Sequence, residues 1–186
     1  MLDMNKFTEK AHEAIYNARN YVHEFQHSMI ENEHLLLSLL EQPEGVVEQI
    51  IVKLEKKPQK LKMRFRQELD KLPKITSSSS EVNRDRISNR LSRVFSLAEQ
   101  EARRMKDEFI AVEHLLIALT DDQDRGLCYR LLQEEGINRE SVYKVLTSIR
   151  GKRRITDKNP EKTYQSLEKY GTNLTDYALK GKLDPV

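Results

Sequence analysis

Three sets of residues in this 186-residue chain have types and spacings that could do chemistry. "HEFQH" at His23–His27 fits His-Glu-x-x-His, in which two imidazoles one helical turn apart hold zinc and the glutamate acts as general base. Such a site needs a third protein ligand and a helix buried beside a cleft. Here the motif closes a surface-type helix whose core face is Val22 and Phe25, and the matching stretch of the second half, "ARRMKD", carries nothing similar. His23, Glu24 and His27 are therefore read as a chance match, and no metal is expected. The second set is Glu33-His34 and Glu113-His114, which open the phrases "EHLLLSLL" and "EHLLIALT" 80 positions apart. The simple reading gives the glutamates to helix N-terminal dipoles and the histidines to hydrogen bonds between neighbouring helices. The sharper reading makes Glu33 and Glu113 matched sites for cationic ligand groups. The third is Cys128, whose setting "GLCYRLL" is that of a buried, inert thiol. Spacing supports no Ser-His-Asp or Cys-His constellation, so no catalytic residue is assigned. The Gly-Lys pairs at 151–152 and 181–182 lack a following Ser or Thr and a glycine five residues earlier. A phosphate-cradling loop, and with it any cofactor of this chain, is not expected.

The elements that would position these residues are all helical. Hydrophobic residues make up 38% and charged residues 33%, with only 6 glycines and 5 prolines, as suits a helix-rich domain. A net charge of +2 with interspersed signs leaves no nucleic-acid footprint. The one basic run, Arg150–Arg154, reads as a solvated helix end. A lone cysteine points to a reducing compartment, and the absence of an apolar leader or spanning stretch points to the cytoplasm and away from a membrane.

Apolar positions recur at helical spacing in the order long, short, medium, medium, and then the order repeats. Thr8 is placed to cap the first helix, Pro58 to open the fourth, Gly136 to end the seventh and Asn138 to cap the eighth. Phe7, Ala11, Ile15, Ala18 and Ile30 match Ile87, Leu91, Phe95, Ala98 and Ile110 at one offset, and an extra residue precedes Gly126, the match of Gly45. The expected architecture is all-α: a tandem, pseudo-twofold repeat of a four-helix unit, with repeat one at 7–72, a linker at 73–83 around "TSSSS", and repeat two at 84–150. Neither half buries much alone, so the halves should pack together. The rest, 151–186, reads as a basic tether followed by two short helical stretches, from Pro160 and up to Gly181, whose packing partner is absent.

The duplicated "EHLLLSLL … EHLLIALT" unit resembles the double Clp repeat that opens Clp-type AAA+ ATPases. "ELDKLP" (Glu68–Pro73) and the tail "NPEKTYQSLEKYGTNLTDYALKGKLDPV" (Asn159–Val186) are similar to the ClpB branch, the disaggregases, where "GKLDPV" runs on into the first nucleotide-binding module. The resemblance implies an N-terminal recruiting domain plus linker, cut from a longer chain. In the family such a domain binds unfolded or aggregated polypeptides through an apolar groove and passes them to a homohexameric AAA+ ring that uses ATP and magnesium and works with DnaK. Carried over by motif, the substrate-binding positions are Thr8, Leu97, Asp107 and Glu113, with Glu33 as a second acidic ligand site. Glu101 and His114 stand where some relatives have leucine, which makes the groove more polar here. The alternative within the family is the protease-partnered ClpC branch, whose N-domain reads adaptors and phosphoarginine through acids corresponding to Glu33 and Glu113.

Overall fold

The computed structural model describes residues 3–43, 45–75, 85–121, 125–151 and 153–160. A single 3-10 turn, Met4–Lys6, precedes the helices α1 (Glu9–Glu24), α2 (Asn32–Glu41), α3 (Val46–Lys53), α4 (Pro58–Asp70), α5 (Asn89–Met105), α6 (Val112–Thr120), α7 (Leu127–Glu134) and α8 (Arg139–Arg150). The described residues are thus all-helical, and α1–α4 and α5–α8 form the two units that the periodicity predicts.

Helices begin where the chain supplies an acceptor or a fixed φ. Thr8 Oγ1 accepts from the Ala11 amide at 3.3 Å, Ser88 Oγ from Leu91 at 3.0 Å and Asn138 Oδ1 from Ser141 at 2.9 Å. Each satisfies one of the donors that a helix start leaves without an intrahelical partner. Pro58 occupies the first turn of α4, where its missing N–H costs nothing. Gly136 ends α7 at φ +71°, while its counterpart Glu55 takes φ +60° after α3 with a side chain present, a conformation glycine adopts more cheaply.

α2 and α6 are buried on every face, from Asn32 to Leu40 and from Val112 to Thr120. A helix apolar or satisfied all round belongs at the centre of a domain, and these two pack against each other as the others surround them. Alanines on the inner faces of α1 (Ala11, Ala14, Ala18) and α5 (Ala98, Ala102) are buried and let each long helix approach its short partner closely. Leu35, Leu36, Leu39, Leu115, Leu116 and Leu119 are wholly enclosed.

The repeats also exchange backbone. Phe7 pairs in parallel with Ile110, and Ile30 with Ile87. The Thr8 amide donates to Ile110 O at 3.0 Å and Ile110 to Lys6 O at 2.7 Å; equivalently, Ser88 donates to Ile30 O at 3.0 Å and Ile30 to Arg86 O at 2.8 Å. The two bridges are images of one another under the 80-residue offset.

Two expectations at the ends of the repeats change. Arg150 is not a solvated helix end: it is 7% exposed and turned inward. Nor is the segment after Gly151 free along its length, because Ile155 is 1% exposed and the Lys158 carbonyl accepts from the Glu9 amide at 2.8 Å. Within the expected linker, the Ile75 amide donates to Gln26 O at 2.8 Å. The expected helical stretches after Pro160, and all of "TSSSS", lie outside the described residues.

Candidate functional site

The histidines of the repeated phrase are third residues of their helices, and each closes its helix start. The Glu31 amide donates to His34 Nδ1 at 3.0 Å and the Ala111 amide to His114 Nδ1 at 2.9 Å. With Nδ1 accepting, a neutral ring carries its proton on Nε2, which points back at the residue just after the preceding long helix. In the first repeat that residue is His27, whose Nδ1 lies 2.8 Å from His34 Nε2. In the second it is Asp107, whose Oδ2 lies 2.9 Å from His114 Nε2.

These two partners make unlike surroundings. Burial, and then the neighbouring His27, push the His34 imidazole down to about 3. His27 is lowered as well, chiefly by burial and then by Lys74, against the opposing influence of Asp70. Its ring stacks on Phe25, and a hydrogen bond to the Leu69 backbone is the largest influence opposing the shift. Asp107 is instead a hub. Arg150 Nη2 lies 2.7 Å from both of its oxygens, the Ile155 amide donates to Oδ1 at 2.8 Å, and its side chain has no exposed surface. Burial raises its pKa, but the hydrogen bonds from His114, Arg150 and Ile155 outweigh that and hold the carboxyl below its usual range. Arg150 Nη1 also reaches Glu113 Oε1 at 3.4 Å, and Nε donates to Arg153 O at 3.1 Å.

The carried-over site residues are therefore mostly interior. Thr8 is fully buried at the seam between the repeats. Asp107 and Glu113 are brought together by Arg150, with no exposed side-chain surface on either acid. Leu97 is partly buried against the core from α5. Of the two departures from leucine, His114 is enclosed, and Glu101 accepts from Arg139 and the Tyr143 hydroxyl, with Arg104 at 3.4 Å. The zinc-like motif is dispersed: His23 lies 4.0 Å from Asp85, Glu24 pairs with Arg66 at 2.7 Å, and His27 faces His34. No group of three metal-ligating side chains is found among the described residues.

Two clefts near these residues are open to solvent. One, of about 400 Å³, runs from α2 to α5 and α7, with Met29, Leu72 and Leu127 as apolar wall and Glu31, Glu33 and Arg90 as polar floor. Arg90 lies 3.5 Å from Glu33 and 3.9 Å from Glu31. Glu33, second residue of α2, thus faces a cleft, whereas its counterpart Glu113 faces Arg150. The other cleft, about 380 Å³, has Phe7, Ile87, Phe95 and Ile110 beneath a Lys6–Glu99 ion pair of 2.7 Å. Chemically, both offer a small apolar floor with charged rims. That combination suits shallow contact with a polypeptide better than enclosure of a small molecule.

Sequence reasoning missed Arg150 and Ile155, although both left a signal. The inner face of α4 reads Leu61, Phe65, Leu69, and the same face of α8 reads Val142, Leu146, Arg150, an arginine on a core position. "KIT" at 74–76 recurs as "RIT" at 154–156, so the repeat unit runs past its last helix.

The model of the Clp repeat N-terminal domain matches residues 6–135. Chaperone protein ClpB of Nitratidesulfovibrio vulgaris is 36% identical over 185 residues, covering 100% of this chain and 21% of its own length. Chaperone protein ClpB 2 of a Nostoc species is 39% identical over 182 residues, 98% of this chain and 20% of its own. The chain thus spans about one fifth of the curated relatives it matches. Among solved structures, the Hsp104 N-terminal domain from Candida albicans superposes with a TM-score of 0.71 at 21% identity, covering 84% of this chain and 99% of that one. The N-terminal domain of the ClpV1 ATPase from E. coli gives 0.63 at 23% identity, covering 76% and 83%. At these identities the structural likeness speaks for the fold.

Proposed function

Because the chain belongs to the Clp repeat N-terminal domain family, we propose that it is the substrate-recruiting N-terminal domain of a ClpB-type disaggregase. In this reading it holds unfolded or aggregated polypeptides weakly and hands them to an AAA+ ring, a homohexamer acting with ATP, magnesium and the DnaK system. The observation that carries the reading is the extent of the match. Similarity to ClpB runs over 185 residues, well beyond the end of the family model at 135, and so takes in the tail. The two shallow clefts support it physically. Modest apolar area with charged rims binds many sequences loosely, and six copies on one ring would supply the missing affinity through effective concentration. Thr8, Asp107 and Glu113, being buried, would serve this binding by holding α1, α6 and α8 in place, while Leu97 would meet the ligand and Glu33, only 3% exposed, would act at the cleft through its pairing with Arg90. The region ahead of the ring would be the cytoplasmic face of disaggregation. No described helix is long and apolar enough to cross a membrane.

The ClpC-like reading keeps one specific support, the opening of Glu33 and Glu31 onto a cleft that a cationic group could enter. An NMR titration separates the two. An unfolded, unphosphorylated model polypeptide should shift amides around Leu97 and Glu33 saturably, and free phosphoarginine should not. Saturable shifts at Glu33 with phosphoarginine alone would replace the disaggregase reading with the tag-reading one.

A further inference from the structure

The segment after α8 lies across both repeats. From Arg153 to Lys158 it is without helix or strand and bends at Asp157 and Lys158, and its contacts are few and nameable. The Glu108 amide donates to Ile155 O and the Glu9 amide, first of α1, to Lys158 O, both at 2.8 Å. Arg154 Nε donates to Lys106 O, and Lys158 Nζ sits 5.8 Å from the Phe109 ring centroid. Ile155 is the one buried anchor between 153 and 158, and it stands apart from the continuous core that joins the eight helices. Arg153, Arg154, Thr156, Asp157 and Lys158 are exposed. Such a segment has little apolar area to offset the chain entropy of its own ordering, so its attachment depends on polar fasteners.

Those fasteners converge on one side chain. Arg150 holds Asp107 through both carboxylate oxygens, and Asp107 Oδ1 in turn accepts the Ile155 amide. The same guanidinium holds the Arg153 carbonyl directly and touches Glu113 at the start of α6. We propose that Arg153–Lys158 is a releasable strap and that Arg150 is its clasp, so that the chain is held to the domain either as far as Asn159 and the buried Pro160, with the strap fastened, or only as far as Gly151, with it free. Arg150 is a positioning residue in this device. It orients Asp107 and carries the first turn of the strap.

The two positions differ in reach. Freeing the seven residues between 151 and 159 adds roughly 25 Å of extended chain between the domain and whatever follows. For a domain tethered to a larger body, that length resets the effective concentration of the domain at its target. The repeat itself supplies a comparison: in the first unit Leu69 stands where Arg150 does, and the fastening there is a backbone bond from Ile75 to Gln26. The strap of the second unit is held by charge, and charge can be competed for. The device does not depend on what the clefts bind.

Amide exchange on the chain tests it. In the unsubstituted chain the Glu9, Glu108 and Ile155 amides should exchange through a smaller opening than Leu35 and Leu115 in the two central helices. Arg150→Lys keeps the charge but loses the planar multi-donor grip, and should speed exchange at those three strap-linked amides at least tenfold with the central helices within twofold. Arg150→Ala should do the same more strongly, and millimolar methylguanidinium, but not methylammonium, should restore protection. Equal acceleration of Leu35 and Leu115 in Arg150→Lys would mean that the arginine merely supports the core and would overturn the proposal. So would unchanged strap amides in Arg150→Lys, or rescue by methylammonium as good as by methylguanidinium. An Arg150→Ala chain that fails to fold leaves the Arg150→Lys comparison to decide.

Discussion

His34 and His114 sit in the same turn of equivalent helices and cap them with the same ring nitrogen, yet one points at an imidazole and the other at a carboxylate. The difference propagates. A buried imidazole pair needs no counter-charge and stays neutral, so the neighbouring core position can remain leucine, Leu69. A buried carboxylate must be compensated, and the equivalent core position has become Arg150. The two units share the scaffold, meaning the Thr8 and Ser88 caps, the buried short helices and the exchanged bridges, while one contact in each unit differs and its neighbours differ with it. The consequence for binding is that both acids are buried, but the one at the start of α6 meets a buried arginine while its twin at the start of α2 lines a cleft beside the part-exposed Arg90.

The comparison breaks most visibly at Asp107. Asp107→Ala strands a buried guanidinium and should cost about 3–5 kcal/mol in denaturant unfolding, but the double change Asp107→His with Arg150→Leu, which rebuilds the second unit on the pattern of the first, should recover at least half. Strict additivity of the two losses would show that the units are not interchangeable in this way.

Acid should act on the first unit earlier than on the second. The folded-state pKa values of His34 and His27 are lowered, so below about pH 6.5 the unfolded chain takes up protons that the folded chain refuses. Stability therefore falls as pH drops from about 6.5 toward about 3 through His34, by up to about 1.4 kcal/mol per pH unit, and His27 adds a loss of the same sign. Asp107 has a lowered carboxyl pKa, so its contribution is fully present above the ordinary aspartate value of about 4 and is lost only as pH falls through its still lower folded one. Unfolding curves at pH 7 and pH 5 should show the loss, and His27→Leu should roughly halve the slope. A flat profile in the unsubstituted chain over that interval would rule out neutral burial of the pair.

A smaller contrast is expected at the paired acids. Glu113→Gln, beside a buried arginine, should lower stability by about 2 kcal/mol, and Glu33→Gln, beside a part-exposed arginine, by less than about 1 kcal/mol. Reversed magnitudes would mean that the cleft acid carries structural weight. The smallest difference is expected between the caps: Thr8→Ala and Ser88→Ala should each cost about 1 kcal/mol and agree within a few tenths, the sharpest available check that the two units still share their scaffold.

Most of the scaffold was legible because it is written in periodicity and local chemistry. Thr8, Pro58, Gly136 and Asn138 declare helix ends from their own stereochemistry, and the leucines after His34 and His114 declare a core wherever they fall. The site was less legible for a physical reason. Resemblance places Thr8, Asp107 and Glu113 at a binding surface, but spacing alone does not reveal whether an acid faces solvent or an arginine 37 or 43 residues later. Arg150, read as the start of a basic run, is in fact the last residue of an inner face, and only its register with Leu69 distinguishes the two. Glu33 escaped this ambiguity because its partner, Arg90, comes from the other unit and leaves the cleft beside it open.

The exchanged bridges also bear on how the domain is made. Phe7 finds its partner only at Ile110, while Ile30 finds its own at Ile87. A ribosome delivering the chain from its N-terminus therefore releases a first unit whose α1 entry stays open until the second has emerged past α5 to Ile110, and each unit supplies an edge that the other lacks. Closing contacts so distant in sequence is slow, and an unclosed edge is open to wrong partners. The newborn domain passes through an interval in which it resembles the clients proposed for it.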